Sequence, residues 1–214
     1  NQPSASTQTM PAAIALCKFL KANFSDTLVL VIGGHPAALP EQTLEETGAD
    51  AVCTGEGPAT VLQFLRLFDA QPVKWKWLLK NVDGLCYWDH DEAVRSNAAA
   101  NVADLGGEMP GGCWEMLPMN SYRAHIWHCL GEETRSPYAS IYTSLGCSFG
   151  CLFCCIQSQF REGDNLKFGG RANSYRMWKP KTVVDELTLL RDFYGVRHVK
   201  IADEMFVLNR EHVE

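Results

Sequence analysis

The sequence predicts an α/β protein built in two parts. The first is a partial doubly wound, flavodoxin-like sheet over residues 1–75, and the second is the first βα units of a partial TIM barrel over residues 136–214. Two observations predict this: short apolar runs alternate with amphipathic helix patterns in both parts, and glycines follow the apolar runs. Residues 76–135 between them predict a hairpin and a linker. A chain of 214 residues, 46% of them hydrophobic, is long enough to bury a core in each part.

The first part alternates helices with strands. The predicted elements are a helix at 11–22, a strand at 27–32, a helix at 40–47, a strand at 49–54 and a helix at 58–68. The apolar faces predicted for the first and last helix consist of Leu16, Cys17, Phe19 and Leu20, and of Val61, Leu65 and Phe68. Only two strands are visible, whereas such sheets normally have about five. We therefore expect the sheet to lack its first strands.

The middle part changes in character. Residues 82–88 and 93–96 flank a polar segment, Asp89-His90-Asp91-Glu92, which predicts a β-hairpin. Glycine and proline then recur between residues 106 and 118, as is typical of a linker.

The third part repeats the strand–helix–strand pattern. A strand predicted at 139–145 leads directly into four closely spaced cysteines. Thr182 is predicted to N-cap a helix that has Asp185 and Glu186 in its first turn and that Gly195 ends. The apolar face of this helix comprises Val183, Leu187, Leu190 and Tyr194, and a strand is predicted at 196–202.

Composition and charge limit the classes of function. No run of 18 or more apolar residues predicts a membrane span, and no signal-peptide pattern is visible. The nine cysteines are odd in number and clustered, which favours a reducing compartment and hence a cytoplasmic protein. The formal net charge of −6 argues against nucleic acid as a partner.

The charge is also unevenly distributed. Residues 1–134 carry 8 basic against 16 acidic side chains, whereas residues 135–200 carry 10 against 5. The basic segment contains the cysteine cluster. This asymmetry either indicates a region that receives an anionic cofactor or reflects two ordinary solvated surfaces.

The cysteine cluster is the most specific motif in the chain. Cys147, Cys151 and Cys154 have the spacing C-x3-C-x2-C, and three thiolates on one loop can hold three irons of a cubane cluster and leave the fourth iron open. Zinc is the alternative, but structural zinc sites need a fourth ligand and usually two C-x2-C pairs. No second pair follows, and Cys155 cannot easily point at the same metal as its neighbour.

This motif, with an aromatic residue (Phe153) before its last cysteine, resembles the cluster motif of the radical S-adenosylmethionine superfamily. The resemblance implies a [4Fe–4S] cluster whose open iron chelates S-adenosylmethionine, with Phe153 at the S-adenosylmethionine site and Cys155 not a ligand. It also implies that Asp203 and Glu204, at the end of the second barrel strand, contact the S-adenosylmethionine amino group, for which carboxylates are suited. The alternative for this acidic pair is plain solvent exposure.

A second set of motifs lies near the start of the chain. Gly33, Gly34 and His35 follow the first predicted strand, and Gly55-Glu56-Gly57 follows the next. Glycines past a strand allow a bulky ligand close to the backbone. Together these segments resemble the cobalamin-binding domain found in many radical S-adenosylmethionine enzymes, and the resemblance implies cobalamin contacts at these residues and at Ser4 and Ser6 upstream. The D-x-H-x-x-G signature is not in this chain, and His35 is expected to lie near the corrin without binding cobalt.

These motifs together predict an internal fragment of a cobalamin-dependent radical S-adenosylmethionine enzyme. The resemblance implies radical methyl transfer, cyclisation or rearrangement of a small-molecule substrate, with electrons from a donor such as flavodoxin or ferredoxin. No catalytic side chain is predicted. The alternatives are a cobalamin carrier or sensor without catalysis, which would not need the cysteines, and a structural metal-binding module, which would not need the glycine loops.

Overall fold

A computed structural model describes residues 6–70, 75–90, 92–96, 101–129, 135–149, 151, 153–154, 156, 160 and 175–214. The chain divides into two compact units. An N-terminal unit comprises residues 2–102 and 148–174, and a C-terminal unit comprises residues 103–147 and 175–214. The boundaries predicted near residues 75 and 135 stay a prediction.

The N-terminal unit is an open mixed sheet with helices. Its strands are β1 (Leu30–Val31), β2 (Ala51–Cys53), β3 (Leu85–Asp89) and β4 (Glu92–Arg95). Its helices are α1 (Met10–Asn23), α2 (Gly34–Ala38), α3 (Pro40–Thr47), α4 (Pro58–Ala70) and α5 (Trp75–Leu78), with short 3₁₀ turns at Thr7–Thr9 and Leu79–Asn81. The predicted helices and hairpin are present, and α2 is an additional short helix that the sequence did not predict.

The strand order is β1-β2-β3-β4, and only β1 and β2 are parallel. The hairpin strand β3 pairs antiparallel with β2, with Val52 opposite Cys86. The sheet therefore has four described strands and not the two visible in the sequence. The reason is that the hairpin supplies an edge to which β2 can bond, which sequence pattern alone does not reveal.

Helices cover both faces of this sheet. On one face, Val31 and Val52 pack with Leu20 of α1 and Leu44 of α3. On the other face, alternate strand residues pack with α4 and the segment before β3, the cluster comprising Ala51, Phe64, Leu79, Val82, Leu85 and Tyr87. This follows from strand geometry, since successive side chains point to opposite faces.

Two predicted helix faces need correction. In α1, Cys17 is buried as expected, but Leu16 and Phe19 are more than half exposed. In α4, Phe64 is the buried aromatic residue and Leu65 is exposed. The apolar residues of both helices extend around more than one face, so only the position of the sheet decides which of them are buried.

The C-terminal unit contains a parallel βαβ element. Its strands are β5 (Tyr138–Ile141), β6 (Ser144–Leu145), β7 (Arg176–Met177) and β8 (His198–Ile201), and its helices are α6 (Leu105–Glu108), α7 (Pro180–Asp192) and α8 (Arg210–Val213). Short 3₁₀ turns lie at Trp114–Met116, Met119–Ser121, Ile126–His128 and Phe206–Leu208. β5 pairs in parallel with β8, with Tyr138 opposite His198. Helix α7 precedes β8 in the chain, and its predicted apolar face packs against these two strands. Leu190 of this face is fully buried.

The strand predicted at 139–145 is divided. β5 ends at Ile141, and β6 pairs antiparallel with β7, so the two halves belong to different sheets. The break falls at Tyr142 and Thr143, where Thr143 forms hydrogen bonds with the Asp203 side chain. Continuous β propensity in the sequence did not show this break.

The start of α7 also differs from the prediction. The helix begins at Pro180 with Lys179 at its N-cap, so Thr182 is inside the helix and Asp185 and Glu186 lie beyond the first turn. Proline at the first turn is favoured because its missing N–H needs no partner there. The predicted end is confirmed: Gly195 adopts φ +66°, and the Val196 N–H returns to the Leu190 carbonyl at 3.0 Å.

No helix among the residues described here is both long and apolar enough to cross a membrane.

Candidate functional site

A network of polar side chains lies at the carboxyl ends of β5 and β8. The two strands end together, because Ile141 is opposite Ile201 and the Ala202 N–H donates to the Ile141 carbonyl at 2.8 Å. This places Thr143 beside Asp203, which follows β8. The Asp203 carboxylate accepts the Thr143 N–H at 2.6 Å, the Thr143 hydroxyl at 2.6 Å and the Ser144 hydroxyl at 2.7 Å.

His212 joins the same network. Its Nε2 lies 2.9 Å from the Thr143 hydroxyl oxygen. The imidazole reaches this position because α8 follows β8 after a short connection. At the start of α8, the Asn209 side-chain oxygen accepts a hydrogen bond from the backbone N–H of His212. Neither Thr143, Ser144 nor His212 was predicted from the sequence. No spacing pattern connects them, since 60 or more residues separate Thr143 from its partners Asp203 and His212.

The strand end carries negative charge. Glu204 is exposed, and Tyr142 is half-buried next to both acids. The pKa of the Tyr142 phenol is raised above its ordinary value, first by burial and then by the charges of Glu204 and Asp203. A strand end of this kind can attract a cationic group such as an ammonium.

None of the three predicted cluster cysteines is in a disulfide. Cys147 follows β6 after Gly146 and is buried, whereas Cys151 and Cys154 are exposed. The Cys154 N–H donates to the Cys151 carbonyl at 3.1 Å, which makes a tight turn of the C-x2-C half of the motif. Phe153, in that turn, is 94% exposed. Cys155 lies outside the described residues.

The three cysteines provide the donor chemistry of a cluster site. Within the described part of the chain, no three His, Cys, Asp or Glu side chains are grouped so that they could hold a metal ion. The three cysteines do supply the donors that an iron–sulfur cluster requires, since none is in a disulfide. The thiols thus fit a cluster chemically.

The first glycine loop follows β1. Gly33 has φ +144°, a conformation open to glycine, and Gly34 begins α2. His35 lies in that first turn with its Nδ1 3.2 Å from the Thr7 hydroxyl. Its Nε2 is buried and has no hydrogen-bond partner among the described residues. A buried imidazole nitrogen without a partner is costly, which is consistent with a ligand group at this position.

The second glycine loop follows β2, the parallel neighbour of β1. Gly57 has φ +104°, and a Cβ there would lie 3.1 Å from the Ile32 side chain, so the two loops are in close contact. Glu56 accepts the Val102 N–H at 2.8 Å. By contrast, a Cβ added at Gly55 would have no atom within 4 Å beyond its two chain neighbours. The structure therefore brings the residues around Gly33 and Gly57 together at one edge of the sheet.

The upstream serines are placed only in part. Ser4 lies outside the described residues. Ser6 precedes the turn Thr7–Thr9, where its N–H donates to the Thr9 hydroxyl at 2.9 Å. Because Thr7 of this turn contacts His35, Ser6 is close in sequence to a residue that contacts the first glycine loop.

Comparison with known proteins places these features in context. No protein-family model matches the chain. It is 30% identical over 210 residues to an uncharacterized methyltransferase of Pyrococcus horikoshii, covering 97% of this chain and 40% of that protein. It is 29% identical over 183 residues to the anaerobic magnesium-protoporphyrin IX monomethyl ester cyclase of Cereibacter sphaeroides, covering 85% of this chain and 26% of that protein.

Solved structures of other proteins share the fold of this chain. The radical S-adenosylmethionine methyltransferase TsrM of Kitasatospora setae, with cobalamin and a [4Fe–4S] cluster bound, matches at a TM-score of 0.61 and 18% identity over 99% of this chain and 37% of TsrM. The predicted resemblance to cobalamin-dependent radical S-adenosylmethionine proteins is confirmed at the level of the fold. OxsB, a cobalamin-dependent radical enzyme with aqua-cobalamin and S-adenosylmethionine bound, matches at a TM-score of 0.60 and 18% identity over 95% of this chain and 25% of OxsB.

The similarity to cobalamin-dependent radical S-adenosylmethionine proteins covers nearly the whole chain, but only part of each relative. The chain spans less than half the length of the curated relatives it matches. At 18% identity the two solved structures establish a shared α/β fold.

Proposed function

We propose that this chain carries the cobalamin-binding and cluster-binding parts of a radical S-adenosylmethionine enzyme of the methyltransferase or cyclase type. When bound, the [4Fe–4S] cluster and S-adenosylmethionine would supply reductive cleavage of the sulfonium, which starts radical methyl transfer, cyclisation or rearrangement on a small-molecule substrate. The observation that carries the proposal is the C-x3-C-x2-C triplet, which begins just after β6, a few residues beyond the carboxyl end of the parallel strand β5. Active sites of barrel enzymes lie at that end of the strands.

In this proposal, the C-terminal unit and the cysteine loop hold the cluster and S-adenosylmethionine. Cys147, Cys151 and Cys154 would be the cluster ligands, and the exposed ring of Phe153 would contact S-adenosylmethionine. The acids after β8, Asp203 and Glu204, provide the negative charge that the methionine ammonium requires. Electrons come from a donor such as flavodoxin or ferredoxin.

The glycine loops of the N-terminal unit hold cobalamin. Gly33 and Gly34 allow the backbone to approach the cofactor closely, and the segment from Gly55 to Gly57 lies beside them. The buried Nε2 of His35, which has no partner in the described part of the chain, would supply a hydrogen-bonding group near the same loops. Ser4 and Ser6 complete the predicted set of contacts. The protein contributes binding and orientation, since the cofactors carry the chemistry.

Anaerobic reconstitution with iron and sulfide tests the cluster. We expect an oxygen-labile [4Fe–4S] spectrum that is lost in Cys147→Ala, Cys151→Ala and Cys154→Ala. Cys155→Ala is the matched control, because it removes a neighbouring thiol outside the motif and should keep the cluster. Stoichiometric zinc without iron, in protein purified anaerobically from iron-replete cells, would contradict the proposal and favour a structural metal-binding module.

A pair of variants separates the two cofactors. Gly34→Val places a branched side chain where cobalamin should approach. It should weaken cobalamin binding, measured by an absorbance titration, and leave the iron content unchanged. Gly48→Val is the control: Gly48 has φ +65°, ends α3 and has open space around it, so this variant strains the same unit away from the loops. Equal cobalamin affinity in Gly34→Val and the unmodified protein would refute the assignment of the glycine loops.

The converse variant distinguishes an enzyme from a carrier. Cys151→Ala should abolish formation of 5′-deoxyadenosine, measured by chromatography, while cobalamin stays bound. A protein that binds cobalamin but forms no 5′-deoxyadenosine in its unmodified, reconstituted and reduced form would be a carrier or sensor.

A further inference from the structure

The two acids after β8 differ in what already surrounds them. Asp203 accepts three hydrogen bonds from its own chain, namely from the N–H and hydroxyl of Thr143 and from the hydroxyl of Ser144. A carboxylate offers about four acceptor positions, so about one remains for a ligand. Glu204 is exposed, and no hydrogen bond or ion pair connects its side chain to the rest of the described chain.

The groups that Asp203 holds are deeply buried. Thr143 and Ser144 are 1% and 2% exposed. Their donors cannot turn to water, so loss of the carboxylate would leave the Thr143 N–H unsatisfied and the two hydroxyls without their acceptor. The Asp203 contacts also fall at the break between β5 and β6, where the chain leaves one sheet and enters another. Asp203 therefore fixes the turn from which the chain runs through β6 and Gly146 into Cys147.

We propose that Asp203 is a positioning residue that fixes the Thr143–Ser144 turn ahead of the cysteine loop, and that Glu204 alone contacts the S-adenosylmethionine ammonium. This inference rests on the proposed function, because it divides between two neighbouring carboxylates the tasks that the sequence assigned to both. Asp203 acts through Thr143 and Ser144, whereas Glu204 faces the ligand.

The network also determines that Nε2 of His212 is a ring nitrogen that carries a proton. The Thr143 hydroxyl has one proton, and it donates this proton to Asp203, so its oxygen accepts from His212. His212 must then carry a proton on Nε2, an assignment that follows from the hydrogen-bond partners. Without Asp203 the Thr143 proton is free to point toward His212. The form of this imidazole is therefore a specific readout of the Asp203–Thr143 bond, which a general loss of stability would not change.

The experiment compares Asp203→Ala, Asp203→Asn and Glu204→Gln in the whole protein. Four quantities are measured: the thermal midpoint, the iron content after anaerobic reconstitution, the S-adenosylmethionine affinity from the change it causes in the spectrum of the reduced cluster, and the nitrogen resonances of His212 in ¹⁵N-histidine-labelled protein. His212→Gln assigns the resonances.

For Asp203→Ala we expect a midpoint lowered by at least about 4 °C, loss of most of the iron and a changed His212 resonance. Asp203→Asn keeps one oxygen for the Thr143 N–H and should recover part of the midpoint and of the iron. Glu204→Gln should match the unmodified protein in midpoint, iron and His212 resonance, but bind S-adenosylmethionine about tenfold or more weakly, since a charge-assisted contact is lost.

Two results would overturn the inference. One is Asp203→Ala protein with unchanged midpoint, iron content and His212 resonance but weakened S-adenosylmethionine binding. The other is Glu204→Gln with unchanged S-adenosylmethionine affinity. If the unmodified protein takes up no iron, the proposed function fails and the role of Glu204 fails with it. The midpoint and the His212 resonance still decide whether Asp203 fixes the turn.

Discussion

At the scale of single residues, Asp50 connects a helix and a strand of the N-terminal unit. Its carboxylate accepts the Lys21 ammonium at 2.8 and 2.9 Å and the Val29 N–H at 2.8 Å. It thereby ties α1 to the start of β1. The Asp50 side chain is 12% exposed and that of Lys21 is 25% exposed, so water screens this pair less than it screens a surface pair.

The first prediction follows from these partners. Asp50→Ala leaves both the ammonium and the Val29 N–H without their acceptor and should lower the free energy of unfolding by about 2–4 kcal/mol. Denaturant titration measures this change. The control is Asp185→Ala, which breaks an exposed pair with Lys181 and should cost less than about 0.5 kcal/mol. Equal losses for the two variants would show that the burial of the Asp50 pair does not matter.

The second prediction concerns the thiols. Burial raises the pKa of Cys86 to about 11 and also raises the pKa values of Cys17 and Cys53 above the ordinary value. Since the thiolate is the reactive form, these three should resist alkylation in the folded protein near neutral pH. Exposed Cys113 should be modified first among the described cysteines outside the motif. Iodoacetamide labelling of cluster-free protein, followed by peptide mass spectrometry, tests this order, and fast labelling of Cys86 would contradict the buried sheet face.

At the scale of secondary-structure elements, the end of α7 is fixed by one glycine. Gly195 adopts φ +66°, and a Cβ there would meet open space, so backbone conformation is the only obstacle to a side chain. Gly195→Ala should therefore lower the free energy of unfolding by about 1–2 kcal/mol.

Gly106→Ala is the control for this third prediction. Gly106 lies in α6 without a positive φ, and its nearest contact for a Cβ is 3.6 Å. Alanine there should leave stability unchanged or raise it by about 0.5 kcal/mol, because it restricts the unfolded chain. Both changes are read from thermal or denaturant unfolding. A Gly195→Ala protein as stable as Gly106→Ala would mean that the helix can end without a left-handed residue.

At the scale of the whole molecule, the described cores are separate. One group of buried residues around Leu44 belongs to the N-terminal unit, and another around Leu190 belongs to the C-terminal unit. Both side chains are completely buried, and they have no core neighbour in common.

The fourth prediction is that calorimetry resolves two unfolding transitions. Leu44→Ala and Leu190→Ala should each cost about 2–5 kcal/mol, because each leaves a cavity in a packed core. Each variant should lower the midpoint of one transition and leave the other in place. A single transition that both variants shift equally would show that the units unfold together.

The sequence by itself determined the local elements and the family resemblance. The helix at 40–47, the hairpin around residues 89–92 and the end of α7 at Gly195 were predicted correctly, because apolar periodicity, proline and glycine act on neighbouring residues. The cysteine spacing and the glycine segments indicated the family for the same reason, since each motif is short and contiguous.

Only the tertiary structure decided which distant residues meet. It placed the hairpin on the edge of β2, chose Phe64 over Leu65 for the core, and divided the strand at Tyr142. It also gave Asp203 three donors from residues 59 and 60 positions earlier, and it added His212 to them. These contacts depend on strand register and on how helices pack against sheets, and neither is encoded within a short window of sequence.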